Sequence, residues 1–301
     1  MSVEGKSAFV AFSPGRVWTI AAATVTQLLR MRILAFLGVF CVVVVAAGFF
    51  FPVLEPEQQL KLLKDVSFGA LQLFSIVIAV VATALLLPRD LEDRTLYTIL
   101  SKPVPRLEYL LGKLFGVLLL IGGGLLMMDV IFSVVLHIRQ GMVLGDAIHG
   151  LEHEGKATSE NIAELAAAVA RQGLTWHLHA GVLAVFLKAA IITAVALLVS
   201  CFASSTLFTV VISFCIVIIG HGQGLIREYF IERNFSDFGE KIASAALAIL
   251  CPDLGMFDIV EGVIKGLPVT GGAILVLAGM TAVYATGYLV VSYLLFVEKE
   301  L

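Results

Sequence analysis

The sequence predicts an all-α membrane protein that crosses the bilayer six times, and three observations favour this fold class. Hydrophobic residues make up 59% of the 301 residues and charged residues only 14%, whereas a soluble domain averages about 45–50% and about 25%. Mean hydropathy is +1.01. The apolar residues also occur in long blocks, so we expect one membrane domain over residues 1–301.

Six apolar runs are the candidate spans. A helix needs about 20 apolar residues to cross the ~30 Å hydrocarbon layer. Lipid offers no partners for backbone N–H and C=O groups, so apolar runs that span it are helices. The predicted spans cover residues 33–51, 68–87, 109–136, 178–202, 205–220 and 273–297.

A separate amphipathic helix is predicted before the first span, over residues 13–32. Ser13 suits an N-cap and Pro14 the first helical position. Trp18 and Leu28 supply apolar surface, and arginines lie near both ends. Such a helix would lie along the membrane surface. The alternative is that it extends the first span, because its amphipathicity is modest.

Two longer stretches separate the later spans, and both are predicted to be loops on the outer, extracytoplasmic side of the membrane. Residues 139–175 contain a predicted helix with Thr158 or Ser159 as its cap and Gly173 at its end. Residues 221–269 are mixed in composition. Their apolar patch, residues 242–250, is too short to span the membrane and is predicted to be interfacial or re-entrant.

The most informative segment joins the second and third spans. Residues 87–113 carry five Lys/Arg and four Asp/Glu. Asp90 can cap a short helix whose first turn holds Glu92 and Asp93. Negative charge there interacts favourably with the positive end of the helix dipole.

This predicted helix, residues 89–102, ends in a rigid corner. Lys102 precedes Pro103, so the helix is expected to stop there. Arg106 and Lys113 flank the entry into the third span. A short helix held across the ends of two spans would transmit force well. The alternative is a solvated loop whose charged side chains reach out to water.

Orientation follows from the density of basic residues. If both termini are cytoplasmic, ten Lys/Arg face the cytoplasm and nine face the other side, so the totals do not decide. Five of the ten crowd into the connection between the second and third spans, whereas the nine are spread over long loops, which translocate largely regardless of charge. We therefore expect both termini and this connection on the cytoplasmic side.

Residues 92–113, EDRTLYTILSKPVPRLEYLLGK, resemble the signature of the type-2 ABC transporter permeases. That family has an acidic residue before Thr-Leu, then a Leu-Ser-Lys-Pro-Val-x-Arg block and Leu-Leu-Gly-Lys opening the third span. Residues 13–32 resemble its elbow helix, and residues 251–258 resemble its Pro-x-x-x-x-Phe-Asp segment before the last span. Arg94 departs from the glycine of many members, and the stretch 139–175 is longer than in compact members.

The resemblance implies the transmembrane subunit of an exporter, which is not an enzyme by itself. Two such subunits, as a homo- or heterodimer, would form the translocation path in the cell (inner or plasma) membrane and contact its lipid. A separate ATP-binding-cassette subunit would bind ATP and Mg²⁺, so this chain would carry no cofactor of its own.

The resemblance also implies roles for the charged connection. Residues 89–102 would be the short cytoplasmic coupling helix that docks in a groove of the ATPase. The implied coupling residues are Arg89, Asp90, Glu92, Asp93, Arg94, Thr95, Leu96 and Leu100. The corner and re-entry residues are Ser101, Lys102, Pro103, Arg106 and Lys113.

Other chemistries find little support in the sequence. Residues 150–156 spell most of a phosphate-binding loop, but Ala157 stands where Ser or Thr would hold Mg²⁺. His149 and His153 would share one helix face, yet this spacing is also ordinary for polar loop residues, so no metal site is predicted. A net charge of −3 gives no attraction to nucleic acid.

Two charges lie inside predicted spans, Asp129 in the third and Lys188 in the fourth. Each alone would cost about 2.5–3.5 kcal/mol at mid-bilayer. At 1.5 Å per residue, Asp129 lies about 10 Å and Lys188 about 15 Å from the outer ends of their predicted helices. Because these depths are similar, we expect the two side chains to pair across the helix interface.

Two rival functions are an ATP-independent transporter or channel and a structural or assembly membrane protein. An ATP-independent transporter or channel typically has several ionisable residues along a path, or two matching halves. The sequence has one intramembrane pair and no matching halves. The second is distinguished by whether the charged connection binds an ATPase.

Overall fold

The computed structural model describes residues 12–30, 34–49, 56–92, 105–203, 205–232 and 251–298. Within these ranges the chain is helical and contains no β-strand. The helices are α1 (Pro14–Leu29), α2 (Leu34–Phe49), α3 (Pro56–Glu92), α4 (Arg106–His153), α5 (Ser159–Gln172), α6 (Trp176–Phe202), α7 (Thr206–Glu232), α8 (Val260–Ile264) and α9 (Gly271–Glu298). A 3₁₀ turn, Gly255–Phe257, precedes α8.

In the described part of the chain, five helices are long and apolar enough to cross a membrane: α3, α4, α6, α7 and α9. The predicted first span corresponds to α2, which has 16 residues. At 1.5 Å per residue α2 is about 24 Å long, short of the ~30 Å layer. The all-helical, multi-pass membrane fold is therefore confirmed, whereas the sixth span stays a prediction.

Several helices run past the ends that hydropathy predicts. α4 has 48 residues and continues to His153, so the first part of the predicted loop 139–175 is helical. α7 likewise continues to Glu232, into the predicted loop 221–269. Hydropathy reports where apolar surface ends, whereas a helix continues until a residue breaks it. After α4 that residue is Gly155, whose φ of 67° suits glycine.

The helix predicted within the loop 139–175 is confirmed as α5. Thr158 is its N-cap residue and Gly173 its C-cap residue. α5 folds back on α4, and Val143 of α4 and Val169 of α5 are both buried there. We call α5 and the part of α4 beyond residue 136 the hairpin.

The charged connection between α3 and α4 is described only in part. α3 runs without a break from Pro56 through Pro88 to Glu92, so Asp90 lies inside a helix, and the prediction that it caps a new helix is wrong. A proline inside a helix removes one backbone hydrogen bond, and α3 has 37 residues packed against several neighbours to offset that loss. Residues 93–104, the rest of the predicted coupling helix, lie outside the described residues.

α6 forms the centre of the bundle. It contacts α3, α4, α7 and α9, and every residue from 189 to 197 is buried. Alanines on this helix let neighbouring backbones approach closely. Because this central stretch of α6 is covered on all sides, polar side chains there must find partners within the protein.

α1 begins as predicted, with Ser13 as its N-cap residue and Pro14 in the first position. The Ser13 hydroxyl makes no capping hydrogen bond; the backbone N–H of Ser13 instead donates to Glu108 of α4. α1 ends at Leu29, and α2 begins at Leu34, so the two are separate elements.

α1 packs along the first turns of α4 through two glycines. A Cβ on Gly112 would lie 2.6 Å from the Cβ of Ile20, and a Cβ on Gly116 would lie 2.6 Å from the Cβ of Thr24. Glycines four residues apart thus let the two backbones approach closely. The order of these contacts makes α1 run in the same direction as α4. Its placement along the membrane surface stays a prediction.

Replacing Gly116 with Ala should lower the unfolding free energy by about 1–3 kcal/mol, because the new methyl group overlaps Thr24 and α1 must shift. The matched control is Gly123→Ala on the same helix, where a Cβ would have no neighbour within 4 Å. That change should leave stability unchanged or slightly raised. Unfolding by SDS in mixed micelles measures both; equal effects would contradict the close packing of α1 on α4.

Candidate functional site

The two ends of the bundle carry different polar groups. At one end α3 finishes and α4 starts, and the N-terminus of α1 and the C-terminus of α9 both reach this place. We call it the loop end, after the connection 93–104. At the other end α4 turns into α5, and we call this the hairpin end.

A buried carboxylate, Glu108, joins α1 to α4 at the loop end. It lies in the first turn of α4 and is 0% exposed. The backbone N–H of Ser13 donates to its Oε1 at 2.8 Å. The Arg16 guanidinium donates to both oxygens, from Nη2 to Oε1 at 2.8 Å and from Nε to Oε2 at 2.5 Å. This bidentate ion pair with an added backbone donor is the strong kind of hydrogen bonding that a buried carboxylate requires.

Arg106 joins the start of α4 to the end of α9. Its Nη1 donates to the backbone oxygens of Phe296 at 2.7 Å and Val297 at 2.9 Å. Its guanidinium lies 5.7 Å from the centre of the Phe296 ring, and the Tyr109 ring stacks on that ring at 6.0 Å. Arg106 therefore supplies hydrogen-bond donors to carbonyls that the last turn of a helix leaves unpaired.

Lys113 also faces the protein interior. Its Nζ lies 3.5 Å from Oε1 of Gln27 on α1 and 5.6 Å from the centre of the Tyr109 ring. The residue is 5% exposed. The Lys113 ammonium therefore lies inside the protein, and the alternative of a solvated loop over residues 89–102 stays open. We call Arg16, Glu108, Arg106 and Lys113, with their partners, the loop-end junction.

The structure places only some of the predicted site residues. Arg89, Asp90 and Glu92 lie in the last turn of α3. Arg106 and Lys113 lie in the loop-end junction, and the remaining coupling and corner residues lie outside the described residues: Asp93, Arg94, Thr95, Leu96, Leu100, Ser101, Lys102 and Pro103. Sequence reasoning missed Glu108, although a carboxylate in the first turn of a span, between two basic residues, is a usable signal.

The two intramembrane charges have partners other than each other. Oδ2 of Asp129 lies 2.7 Å from Nδ1 of His179. Nζ of Lys188 donates to Oδ1 of Asp258 at 2.7 Å. The predicted Asp129–Lys188 pair is therefore wrong.

The register of α4 against α6 explains this error. Asp129 is level with His179, and two turns further along, seven residues on each helix, Gly122 faces Phe186. Lys188 lies nine residues beyond His179 on α6, about 13 Å along the axis. The predicted depths assumed that α4 ends near residue 136, whereas it continues to His153, so its predicted outer end was misplaced.

The segment that carries Asp258 packs inside the bundle. The backbone N–H of Leu254 donates to the oxygen of Gly220, midway along α7, at 3.0 Å. Lys188 of α6, which donates to Asp258, is 2% exposed, whereas the Asp258 side chain is 47% exposed. Within the predicted outer loop 221–269, residues 251–258 are therefore held against α6 and α7, and the side of the membrane on which this stretch lies stays a prediction. The apolar patch 242–250 lies outside the described residues.

Other polar groups support structure rather than a visible chemical site. In the part of the chain that the structure describes, no three His, Cys, Asp or Glu side chains cluster as metal ligands. Lys156, at the end of the string resembling a phosphate-binding loop, donates to Oε2 of Glu154 at 2.9 Å. This hydrogen bond holds the pKa of the Glu154 carboxyl below its usual value. The Lys156 ammonium is therefore already bound to a carboxylate of the protein itself.

No protein-family model matches the chain, and no curated protein is significantly similar to it. Any proposal of function therefore rests on the resemblance of residues 92–113 to a family signature and on the geometry of the loop end.

Replacing Asp258 with Asn should lower the unfolding free energy by about 3 kcal/mol, because it leaves the buried Lys188 ammonium without its partner. Lys188→Met should cost less, since the carboxylate it abandons is half exposed. The double variant should recover most of the loss. Titration with SDS measures each free energy.

The control cycle combines Lys188→Met with Asp129→Asn. These residues have separate partners, so their effects should add to within about 0.5 kcal/mol. Strong coupling between Asp129 and Lys188, or additivity between Lys188 and Asp258, would contradict the observed pairing.

Proposed function

We propose that this chain is the transmembrane subunit of an ATP-binding-cassette exporter. Two copies, or this chain and a related one, pair around a path through the membrane. A separate ATPase subunit, which binds ATP and Mg²⁺, docks on the connection 93–104 and the adjacent end of α3. The chain itself performs no chemical reaction.

The observation that carries this proposal is the construction of the loop end. A short, charged connection joins two long apolar helices, and its sequence resembles the permease signature. Directly after it, Arg106 and Glu108 fasten α4 to α9 and α1. A connection that only had to turn the chain would need no such ties, whereas a connection that receives force from a partner does.

The path of the chain supports a sixth crossing by α2. Thr24 lies beside Gly116, and Arg139 Nη2 donates to Oε1 of Gln59 at 3.0 Å. Gly116 and Arg139 are 23 residues apart on α4, about 34 Å along its axis. The chain between Thr24 and Gln59 therefore has to cover this distance along the bundle. α2 is the helix described in that part of the chain.

Six crossings would place both termini on one side. α1 starts and α9 ends at the loop end, so they share a side with the connection 93–104. The density of basic residues in that connection favours the cytoplasm, where ATP is available. The proposed location is the cell membrane, with both termini cytoplasmic.

The mechanism that follows is mechanical. Closure of the ATPase pair on ATP displaces the connection, which shifts the end of α3 and the start of α4 together. α6, in contact with α3, α4, α7 and α9, passes the displacement to the rest of the bundle. Packed helices of this kind move as stiff bodies between discrete arrangements, so a shift at one end changes the shape of the path between the subunits.

Reversing the charges of Glu92 and Arg94, as Glu92→Lys with Arg94→Glu, should reduce the amount of ATPase that co-purifies with the chain about tenfold or more. Charge complementarity fixes register in such contacts, and like charges placed together cost several kcal/mol. Affinity purification from native membranes, followed by mass spectrometry and an ATP-hydrolysis assay, measures the effect.

The matched control reverses an opposite-charge pair at the hairpin end, Lys61→Glu with Asp65→Lys, where both side chains are exposed. This variant should retain the ATPase. Failure of the unaltered chain to bring down any ATP-hydrolysing protein would overturn the proposed function, and equal binding by all three forms would move the docking surface elsewhere.

A further inference from the structure

α1 depends on α4 for its position. Among the described elements, α4 is the one against which α1 packs extensively. The contacts lie along one line: Ser13 and Arg16 at Glu108, Ile20 at Gly112, and Thr24 at Gly116. α1 therefore follows α4 as long as this line holds.

The polar part of this line is strong and directional. Glu108 is fully buried and receives three donors, two of them from one guanidinium. Without these donors the buried carboxylate would be left unpaired, which is costly. At the glycine contacts, Ile20 and Thr24 of α1 lie over Gly112 and Gly116, so this packing also favours one register, but it carries no charge. Glu108 adds a charged, directional tie to this register at the loop end.

The position of Glu108 in the chain gives this tie a mechanical meaning. Glu108 is the third residue of α4 and follows the connection 93–104 by four positions. Any displacement of the connection reaches Glu108 before it reaches the rest of α4. Arg106, two residues earlier, holds α9 through neutral backbone oxygens at the end of a helix. Charge-assisted bonds are stronger than bonds to neutral acceptors, and the Glu108 tie is charged on both sides.

We propose that Glu108 is the positioning residue that makes α1 move with α4, so that displacement of the connection 93–104 is carried to α1. This inference rests on the proposed function, because the displacement is supplied by the docked ATPase. It adds that α1 is a moving part of the transport cycle and that one buried carboxylate decides whether it moves.

Spin-label distances within the complete complex test the inference. Labels are attached to cysteines in a chain whose native Cys41, Cys201, Cys215 and Cys251 are replaced, and labelled subunits are diluted into unlabelled ones. The first pair joins exposed positions of α1 and α4, Thr19 and Leu119; the second joins Thr19 to Leu207, exposed at the start of α7. Each pair is measured without nucleotide and with ATP and vanadate.

In the otherwise unaltered chain, the Thr19–Leu119 distance should stay the same in both states, and the Thr19–Leu207 distance should shift with nucleotide. In Glu108→Gln the ATPase should still co-purify, because the Glu108 side chain is fully buried and is not itself offered to a partner. The Thr19–Leu119 distribution should broaden, and the nucleotide-dependent shift of Thr19–Leu207 should be lost. Exchanging the charges, Arg16→Glu with Glu108→Arg, should restore part of the shift.

Glu152→Gln is the matched control, since it removes an exposed carboxylate at the other end of the same helix; it should behave like the unaltered chain. A full shift in Glu108→Gln with the ATPase bound, or no shift in the unaltered complex, would overturn this inference while the proposed function stands. Absence of any co-purifying ATPase would overturn the proposed function and this inference together.

Discussion

The cost of leaving a charge unpaired inside an apolar bundle determines how the helices of this protein meet. Each buried charge in the described chain lies where two elements join. Glu108 binds Arg16 between α1 and α4, Asp129 binds His179 between α4 and α6, and Lys188 binds Asp258 between α6 and the 3₁₀ turn. The apolar contacts around them are less directional than a hydrogen-bonded charge, whose partner has to lie at one position. A few polar pairs therefore set the register of a structure that is otherwise held by apolar packing.

These and similar polar contacts tie the helices together at three places along the bundle. At the loop end, the junction fastens α1 and α9 to the start of α4. Halfway along, Lys188 holds residues 251–258 against α6. At the hairpin end, buried Lys64 donates to Gln172 and ties α3 to α5. A force applied to the connection 93–104 would enter at the stiffest point and travel along helices whose mutual register is already fixed. Such an arrangement suits a subunit that is moved by a partner.

The sequence was a good guide to the elements and a poor guide to their partners. Ser13, Pro14 and Thr158 stand at the starts of their helices as predicted, because residues within one turn favour a helix start, although neither the Ser13 nor the Thr158 hydroxyl makes a capping hydrogen bond. The apolar runs marked the membrane helices, because burial in lipid leaves a composition signal. The prediction that Asp90 caps a new helix was wrong because α3 continues through Pro88. The local sequence does not show the packing against neighbouring helices that offsets the hydrogen bond lost at the proline. Lys188 and Asp258 are 70 residues apart and meet only because of the register between elements, which hydropathy does not contain.

The central claim is that an ATPase grips the connection between α3 and α4 from the cytoplasm, and an in-cell cross-link tests it most directly. A photo-reactive amino acid in place of Arg94 would be activated in living cells, and the cross-linked protein identified by mass spectrometry. The account predicts one dominant adduct, with a soluble protein that contains a phosphate-binding loop and hydrolyses ATP. Cross-links only to lipid, to this chain itself or to a protein on the outer side of the membrane would contradict it.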